Sequence, residues 1–267
     1  MSKAKETEFF NNNYDKGLAW YEDMFPDEQY TARGEISTMY YLDADVPNRI
    51  KAHYSDIKIL FGAREPEALL DSFYKFGIRR GLAAESLTAA LNQPNAIYMG
   101  SGYNTRLAAN ALTPGDRVTM LDSVRLSRYL DAFIETFGQD KVHVVSFSAL
   151  NESPKAEIER IYRFIGVNTN HEPPGLLEKT NPSLAPKNKT LALAAHKLAY
   201  ALRKLGLHAV LARLHKSEVL KRFLFRPQSD KPAVVELPEQ IKDILANESA
   251  LLKDRLNALH NNNRPMS

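Results

Sequence analysis

Ile57-Lys58-Ile59-Leu60-Phe61-Gly62-Ala63-Arg64-Glu65-Pro66-Glu67-Ala68-Leu69-Leu70-Asp71-Ser72-Phe73-Tyr74 decides how this chain is read. The apolar run at 57–63 has the length of a buried strand. It breaks at a charged Arg-Glu-Pro corner and passes into apolar residues of helical period. Strand, short loop and helix start together turn backbone N–H groups toward an anion at the end of a sheet. At the corner, Arg64 offers a planar fork of donors that matches phosphate or sulfate oxygens. Ser72, about two helical turns further on, adds a hydroxyl. Any α/β protein can carry such a corner, so its purpose has to come from the rest of the chain.

Lys141-Val142-His143-Val144-Val145-Ser146-Phe147 reads as a second strand. Around the two strands, helical spacing predicts helices over Tyr14–Phe25 (Leu18, Tyr21, Phe25), from Val46 with Pro47 in the first turn, and over 66–82. It predicts others over Leu121–Phe137 and from Ser153-Pro154 to Ile165, with Ser at the N-cap, Pro at N1 and Gly166 as the stop. Ala84–Leu91 has helical character, but Pro94, Gly100, Gly102, Pro114 and Gly115 make 84–115 mostly loop, a natural place for a substrate-specific segment. His171–Asn188 is a Pro- and Asn-rich loop, followed by helical stretches at roughly 189–205, 207–215 and 238–258. Strands separated by helices, then a helical tail, argue an α/β fold with a parallel sheet. We expect one domain over 1–267, with an α/β core at 5–186 and a helical part at 187–260.

With 267 residues, 44% hydrophobic and 25% charged, the chain can bury a sizeable core. The absence of cysteine excludes disulfides, thiolate metal sites and cysteine nucleophiles. Met1–Glu8 is polar and no stretch approaches eighteen apolar residues, so no leader, no membrane span and a cytoplasmic location are expected. The seven histidines show no metal-ligand spacing, so no metal is expected. From Lys187 to Arg226 ten Lys and Arg stand against Glu218 alone; because the whole chain nets +3, the remainder carries −6. Such a segment attracts a nucleotide, a polyanionic glycan or an anionic membrane surface. Nucleic acid is not expected as a partner, since the segment has few aromatics for stacking and no recognition motif.

Several blocks, in order, resemble the sulfotransferases that use 3′-phosphoadenylyl sulfate (PAPS), above all bacterial enzymes related to the heparan sulfate and glycan sulfotransferases. Lys5-Glu6-Thr7-Glu8-Phe9-Phe10 followed by Tyr14-Asp15-Lys16-Gly17-Leu18-Ala19-Trp20-Tyr21 looks like the first block of that family. Gly34-Glu35-Ile36-Ser37 with Tyr41 and Val46-Pro47-Asn48-Arg49-Ile50 resembles the next. Arg64 with Ser72 matches its 3′-phosphate pattern, and the helix–strand–helix section from Leu121 to Gly166 resembles the later part. Lys179-Thr180-Asn181 to Pro186-Lys187 looks like its closing nucleotide-side loop. The likeness covers most of residues 5–260.

The resemblance implies a P-loop-like parallel sheet flanked by helices and a sulfuryl transfer from PAPS, as co-substrate, to a hydroxyl or amine, expected to belong to a carbohydrate. It implies that Arg64 and Ser72 hold the 3′-phosphate, that Lys187 and Lys189 screen the donor's phosphates, that Glu6 is the catalytic base and that Lys5 faces the transferring sulfate. The chemistry calls for such a base, because in-line transfer removes a proton from the acceptor as the new bond forms.

The chain departs from the pattern in one large respect. In the family a strand and a glycine-rich loop that grips the 5′-phosphosulfate precede the first block, whereas only Met1–Ala4 do so here. A first strand and phosphate loop missing from the chain is therefore an expectation, and with it a second reading: a truncated or non-catalytic relative that binds anions without turnover. Ile36 stands where many glycan-sulfating relatives have lysine, and Ser148-Ala149 where an acidic pair is common. Gly100-Ser101-Gly102-Tyr103 is no substitute loop, and a nucleotide kinase is disfavoured because no Gly-x-x-x-x-Gly-Lys-Ser/Thr run occurs. The tryptophan, Trp20, is read as a packing residue.

Overall fold

The computed structural model describes residues 2, 6–25, 30–79, 86–91, 119–176, 184–204, 213–214, 217–227 and 237–262. Two strands form its centre: β1 (Ile59–Ala63) and β2 (Val142–Ser146), parallel and in register from Ile59↔Val142 to Ala63↔Ser146. Phe61 and Ala63 of β1 and Val142 and Val144 of β2 are buried on one side of this pair. Each fully buried Phe or Val side chain contributes about 1.5–3 kcal/mol. Parallel strands require a long crossover. Here it contains α3 (Pro66–Arg79), α4 (Leu87–Leu91) and α5 (Leu126–Phe137).

Helix α5 buries Leu126, Tyr129, Leu130 and Phe133, the i, i+3, i+4, i+7 stripe of an amphipathic helix. It packs on α2 (Val46–His53), which contributes Val46 and Ile50 to the same core. Phe9, Phe10 and Tyr21 of the N-terminal segment and Leu252 and Leu259 of the last helix complete it. The helix over Leu18–Glu22, α1, carries Trp20, which packs against this core with Lys16 over its ring at 4.2 Å. A second apolar cluster joins Leu70 and Tyr74 of α3 to Leu87, Leu91, Met120, Leu237 and Leu245.

After β2 the chain enters α6 (Phe147–Glu152) and α7 (Pro154–Ile165). Ser146 caps α6, its Oγ accepting from the Ala149 amide at 3.4 Å. Helix α7 ends at Gly166, which takes the left-handed conformation at φ +83°, while its amide and that of Val167 donate to Tyr162 O. A side chain at that φ would be strained. Further on, β3 (Leu184–Pro186) and β4 (Phe225–Pro227) pair antiparallel and bracket α8 (Lys189–Lys204) and α9 (Glu218–Leu224).

The final helix, α10 (Glu239–Asn262), docks through a carboxylate. Glu248, 3% exposed, accepts from the Ser127 amide at 2.6 Å and from Ser127 Oγ at 2.9 Å. Helix α5 needs this, because Arg125 at its N-cap position makes no side-chain cap bond and first-turn amides have no partner within a helix. Arg255 grips Asp131 of the same helix through two hydrogen bonds at 2.9 and 3.1 Å. Ser249 Oγ donates to Glu65 at 2.6 Å, which ties α10 to the corner after β1.

The α/β class, the parallel pair and most helices agree with the sequence reading, with local corrections. The helix predicted from Leu121 starts at Leu126, because Asp122–Val124 is a 3-10 turn and Arg125 (φ −83°, ψ 68°) leaves helical space. The Tyr14–Phe25 helix is cut by Gly17 at φ +80° into a 3-10 turn (Tyr14–Lys16) and the short α1. Ser153 stands at the N-cap of α7 but makes no cap bond, its backbone being already the end of α6. Helices α6 and α9 and the β3–β4 pair were not anticipated. Most of 84–115, most of 207–215, Lys5 and Lys179–Asn181 lie outside the described residues.

Glu248→Ala strands the Ser127 amide and hydroxyl in a buried place and is expected to cost about 2 kcal/mol. In urea the unfolding midpoint should fall with the slope unchanged. An unaltered midpoint would show that this carboxylate does not hold α10 in place.

Candidate functional site

Because β1 and β2 end level, Ala63 against Ser146, the residues that follow them emerge side by side. Arg64 and Phe147 are those residues, and the guanidinium lies 4.6 Å from the centre of the Phe147 ring. This contact holds the planar head by one face and leaves its edge of N–H donors for other partners. Arg64 is half-buried, and its Nε is buried with no hydrogen-bond partner among the described residues. Burial pulls its pKa down, opposed by the Asp71 carboxylate, which is itself ion-paired to Lys75 at 2.7 Å. A buried donor without a partner costs free energy that an anion at this corner would return. Ser72 is half-buried on α3, the helix that the corner opens. Arg64 and Ser72 thus share one strand–helix junction.

Glu6 belongs to a second arrangement. It is half-buried and accepts from Thr38 Oγ1 at 3.3 Å. The turn that carries it is tightly bonded: Glu8 O accepts from the amides of Asn12 and Asn13, both at 3.0 Å, and Asn13 Nδ2 donates to Thr7 O at 2.8 Å. The asparagine cluster therefore does more than mark a turn, since its side chains close it. Glu8 sits at φ +51°, a left-handed conformation rare outside glycine and typical of places where surrounding structure over-determines the backbone.

That structure is the segment 35–40. Glu8 N donates to Ser37 Oγ at 3.1 Å and Phe10 N to Tyr40 Oη at 3.2 Å. At the centre, the Glu35 carboxylate accepts from four hydroxyls: Thr7, Tyr40 at 2.6 Å, Ser37 at 3.3 Å and Tyr21 at 3.4 Å. Burial, then the neighbouring Glu35 charge, pushes the phenols of Tyr21 and Tyr40 far above their ordinary value. Tyr54, bonded to Glu22, is pushed up to about 12, again by burial first. Sequence reading quoted Glu35 within a block but gave it no role. Its four donors come from positions 7, 21, 37 and 40, and no spacing announces that convergence.

Lys187 is exposed, its amide donating to Leu224 O at 2.9 Å, and Lys189 is the first residue of α8. Lys187 is joined to neither Arg64 nor Ser72 by any bond among the described residues, and the side chain of Lys189 and all of Lys5 lie outside them. Beside the exit of β2 lies a cavity of about 350 Å³, lined by Val144, Ser146, Ala149, Glu157, Arg160, Lys253, Leu256 and Asn257. Its buried acid, Glu157, is ion-paired to Arg160. Among the described residues no group of three His, Cys, Asp or Glu could hold a metal ion, and no helix is long and apolar enough to cross a membrane.

No family model matches the chain. Among curated proteins, human heparan sulfate glucosamine 3-O-sulfotransferase 3B1 is 25% identical over 168 residues, covering 61% of this chain and 38% of that protein. Human heparan sulfate glucosamine 3-O-sulfotransferase 5 is 27% identical over 175 residues, covering 62% and 46%. The matched part thus spans less than half the length of these relatives. Among solved structures, a sulfotransferase from Alicyclobacillus acidocaldarius superposes with a TM-score of 0.53 at 19% identity, covering 83% of this chain and 87% of that one.

The raised phenols carry a sign. Tyr40 and Tyr21 keep their protons when folded but ionise near 10.0 when unfolded, so the folded state binds more protons above that pH. The stability these phenols contribute is fully present below pH 10 and is lost as pH rises beyond it. In Tyr40→Phe the alkaline fall should be shallower, as measured by urea unfolding between pH 9 and 11. Equal slopes in the two proteins would contradict the buried phenol.

Proposed function

We propose that this chain, which has the sulfotransferase fold and is distantly homologous to the heparan sulfate 3-O-sulfotransferases, moves a sulfuryl group from PAPS to a hydroxyl or amine of a carbohydrate. The observation that carries the reading is Arg64: a half-buried guanidinium at the end of a parallel strand, seated on Phe147, with a buried Nε that has no partner among the described residues. That is the donor set an oxyanion of phosphate fits. Arg64 and Ser72 would hold the 3′-phosphate of the donor, with Lys187 and Lys189 adding positive charge. When bound, PAPS supplies a sulfuryl group activated by its phosphate leaving group.

The protein's own part is positioning and one proton. Glu6 would take the proton of the acceptor hydroxyl or amine while the acceptor–sulfur bond forms and the donor S–O bond breaks, its electron pair leaving with the 3′,5′-bisphosphate. General-base assistance of this type contributes about 10²–10⁴-fold. Thr38 fixes one oxygen of Glu6. The Glu35 hydroxyl cluster fixes the turn behind it, which supports a base held in one orientation, as in-line transfer requires. Lys5 would face the sulfate.

A second reading, an anion-binding relative without turnover, uses Arg64 and Ser72 alike but has no need of Glu6. It is supported by the same buried Arg64 Nε, a binding feature that asks nothing of a base.

Arg64→Ala is expected to weaken binding of adenosine 3′,5′-bisphosphate, measured by calorimetric titration, by at least about tenfold, or ~1.4 kcal/mol. Unchanged affinity would remove Arg64 from the 3′-phosphate site. Glu6→Gln should bind the bisphosphate as the parent does and lose about 10²-fold or more in sulfate transfer to a carbohydrate acceptor. Full transfer by that variant rules out Glu6 as base, and binding without transfer in the parent selects the second reading.

A further inference from the structure

The basic C-terminal part leaves apolar surface open where a folded chain would ordinarily cover it. Half of the large hydrophobic side chains exposed among the described residues fall there: Leu191 at 38%, Leu198 at 58%, Phe223 at 64% and Val219 at 80%. Helix α8 contacts α3 and buries Ala192, yet Leu191, Ala194, Lys197, Leu198 and Ala201 are exposed, and it holds no acidic residue. A helix apolar on both faces is normally covered on both. On α9, Val219 and Phe223 stand one turn apart on one face, with Arg222 beside them and Arg226 just beyond, both exposed. The two helices are fastened together at one end, because β3 runs into α8, β4 follows α9 and Lys187 N donates to Leu224 O.

Charge decides among the occupants such a face can have. A second copy would bring a second set of the exposed cations Lys187, Lys197, Arg222 and Arg226 against the first, and like charges repel within a Debye length of about 8 Å. A sulfated polysaccharide would satisfy the cations but offers nothing to Val219 and Phe223. An anionic bilayer satisfies both, with phosphates for Lys and Arg and the headgroup–acyl boundary for the apolar side chains. We propose that the α8–α9 unit, clasped by β3 and β4, is a docking surface that lies on membranes rich in anionic phospholipid. The proposal does not depend on the transfer reaction, because Leu191, Leu198, Val219, Arg222, Phe223 and Arg226 are given no part in it.

The experiment is co-sedimentation of the full chain with vesicles of phosphatidylcholine alone and of phosphatidylcholine with about one third phosphatidylserine. The chain should partition onto the anionic vesicles only and be released by high salt. Both Arg222→Glu with Arg226→Glu and Val219→Ser with Phe223→Ser should weaken partition by about tenfold or more, the second pair by loss of apolar insertion. All four positions are solvent-exposed, and an unchanged urea unfolding midpoint would show that the variants remain folded. Failure of the parent to bind anionic vesicles overturns the proposal. So does full binding by the Val219/Phe223 variant, which leaves charge alone. Concentration-dependent dimerisation abolished by that variant assigns the face to a second copy. Full displacement from vesicles by a sulfated polysaccharide, with binding to that polysaccharide weakened by the apolar pair, assigns it to a glycan.

Discussion

The parallel pairing of Ile59–Ala63 with Val142–Ser146 determines where two loops leave the sheet and what stands beside each. With side chains alternating between faces, a slip of one residue would turn Phe61 and Ala63 out of the core and Leu60 into it. The register that buries Phe61 and Val144 is therefore the one that sets Arg64 next to Phe147. Core packing and the anion-ready guanidinium follow from a single constraint. The corner is also braced from outside, since Glu65 is bonded to Ser249 of the last helix.

A different kind of constraint holds the Glu6 turn. One carboxylate, Glu35, collects four hydroxyls, two of them phenols that stay protonated because of burial and its charge. Such a cluster is directional where apolar packing is not: each hydroxyl must point at the same two oxygens. It offsets the unfavourable backbone of Glu8, a cost of about 1–3 kcal/mol. Rigid turn and half-buried acid are thus parts of one device, in which Thr38 adds the last contact to Glu6.

How much of this was readable depended on whether a feature is local. The β1 run, the Pro154–Gly166 punctuation of α7 and the apolar stripe of α5 are written in consecutive residues, and the elements formed as the spacing implied. Arg64 was legible as a candidate because strand, corner and helix adjoin in sequence. Its seat on Phe147 was not, since that depends on a register between segments far apart. Helix α6 escaped notice because it begins directly after the last strand residue, Ser146, so Phe147 read as strand. Strands β3 and β4 are three residues each, too short for any period, and are defined only by meeting. Glu35 was visible as a letter in a block; its role appears only when Thr7, Tyr21, Ser37 and Tyr40 converge on it.

The carboxylate of Glu248 has a consequence for the order of events on the ribosome. The helix it caps starts at Leu126, and its bond partner Ser127 is made 121 residues before it. Chains are synthesised from the N-terminus at about 5–20 residues per second, so the first turn of that helix waits several seconds with its amides uncovered. Through that interval the central helix has sequence and neighbours but no anchor at its start. The nascent sheet is then at its most open, and a factor that shields exposed chains has its natural binding window. Arrival of the last helix closes that window in one step, delivering a cap, an apolar stripe and the brace on Glu65 together.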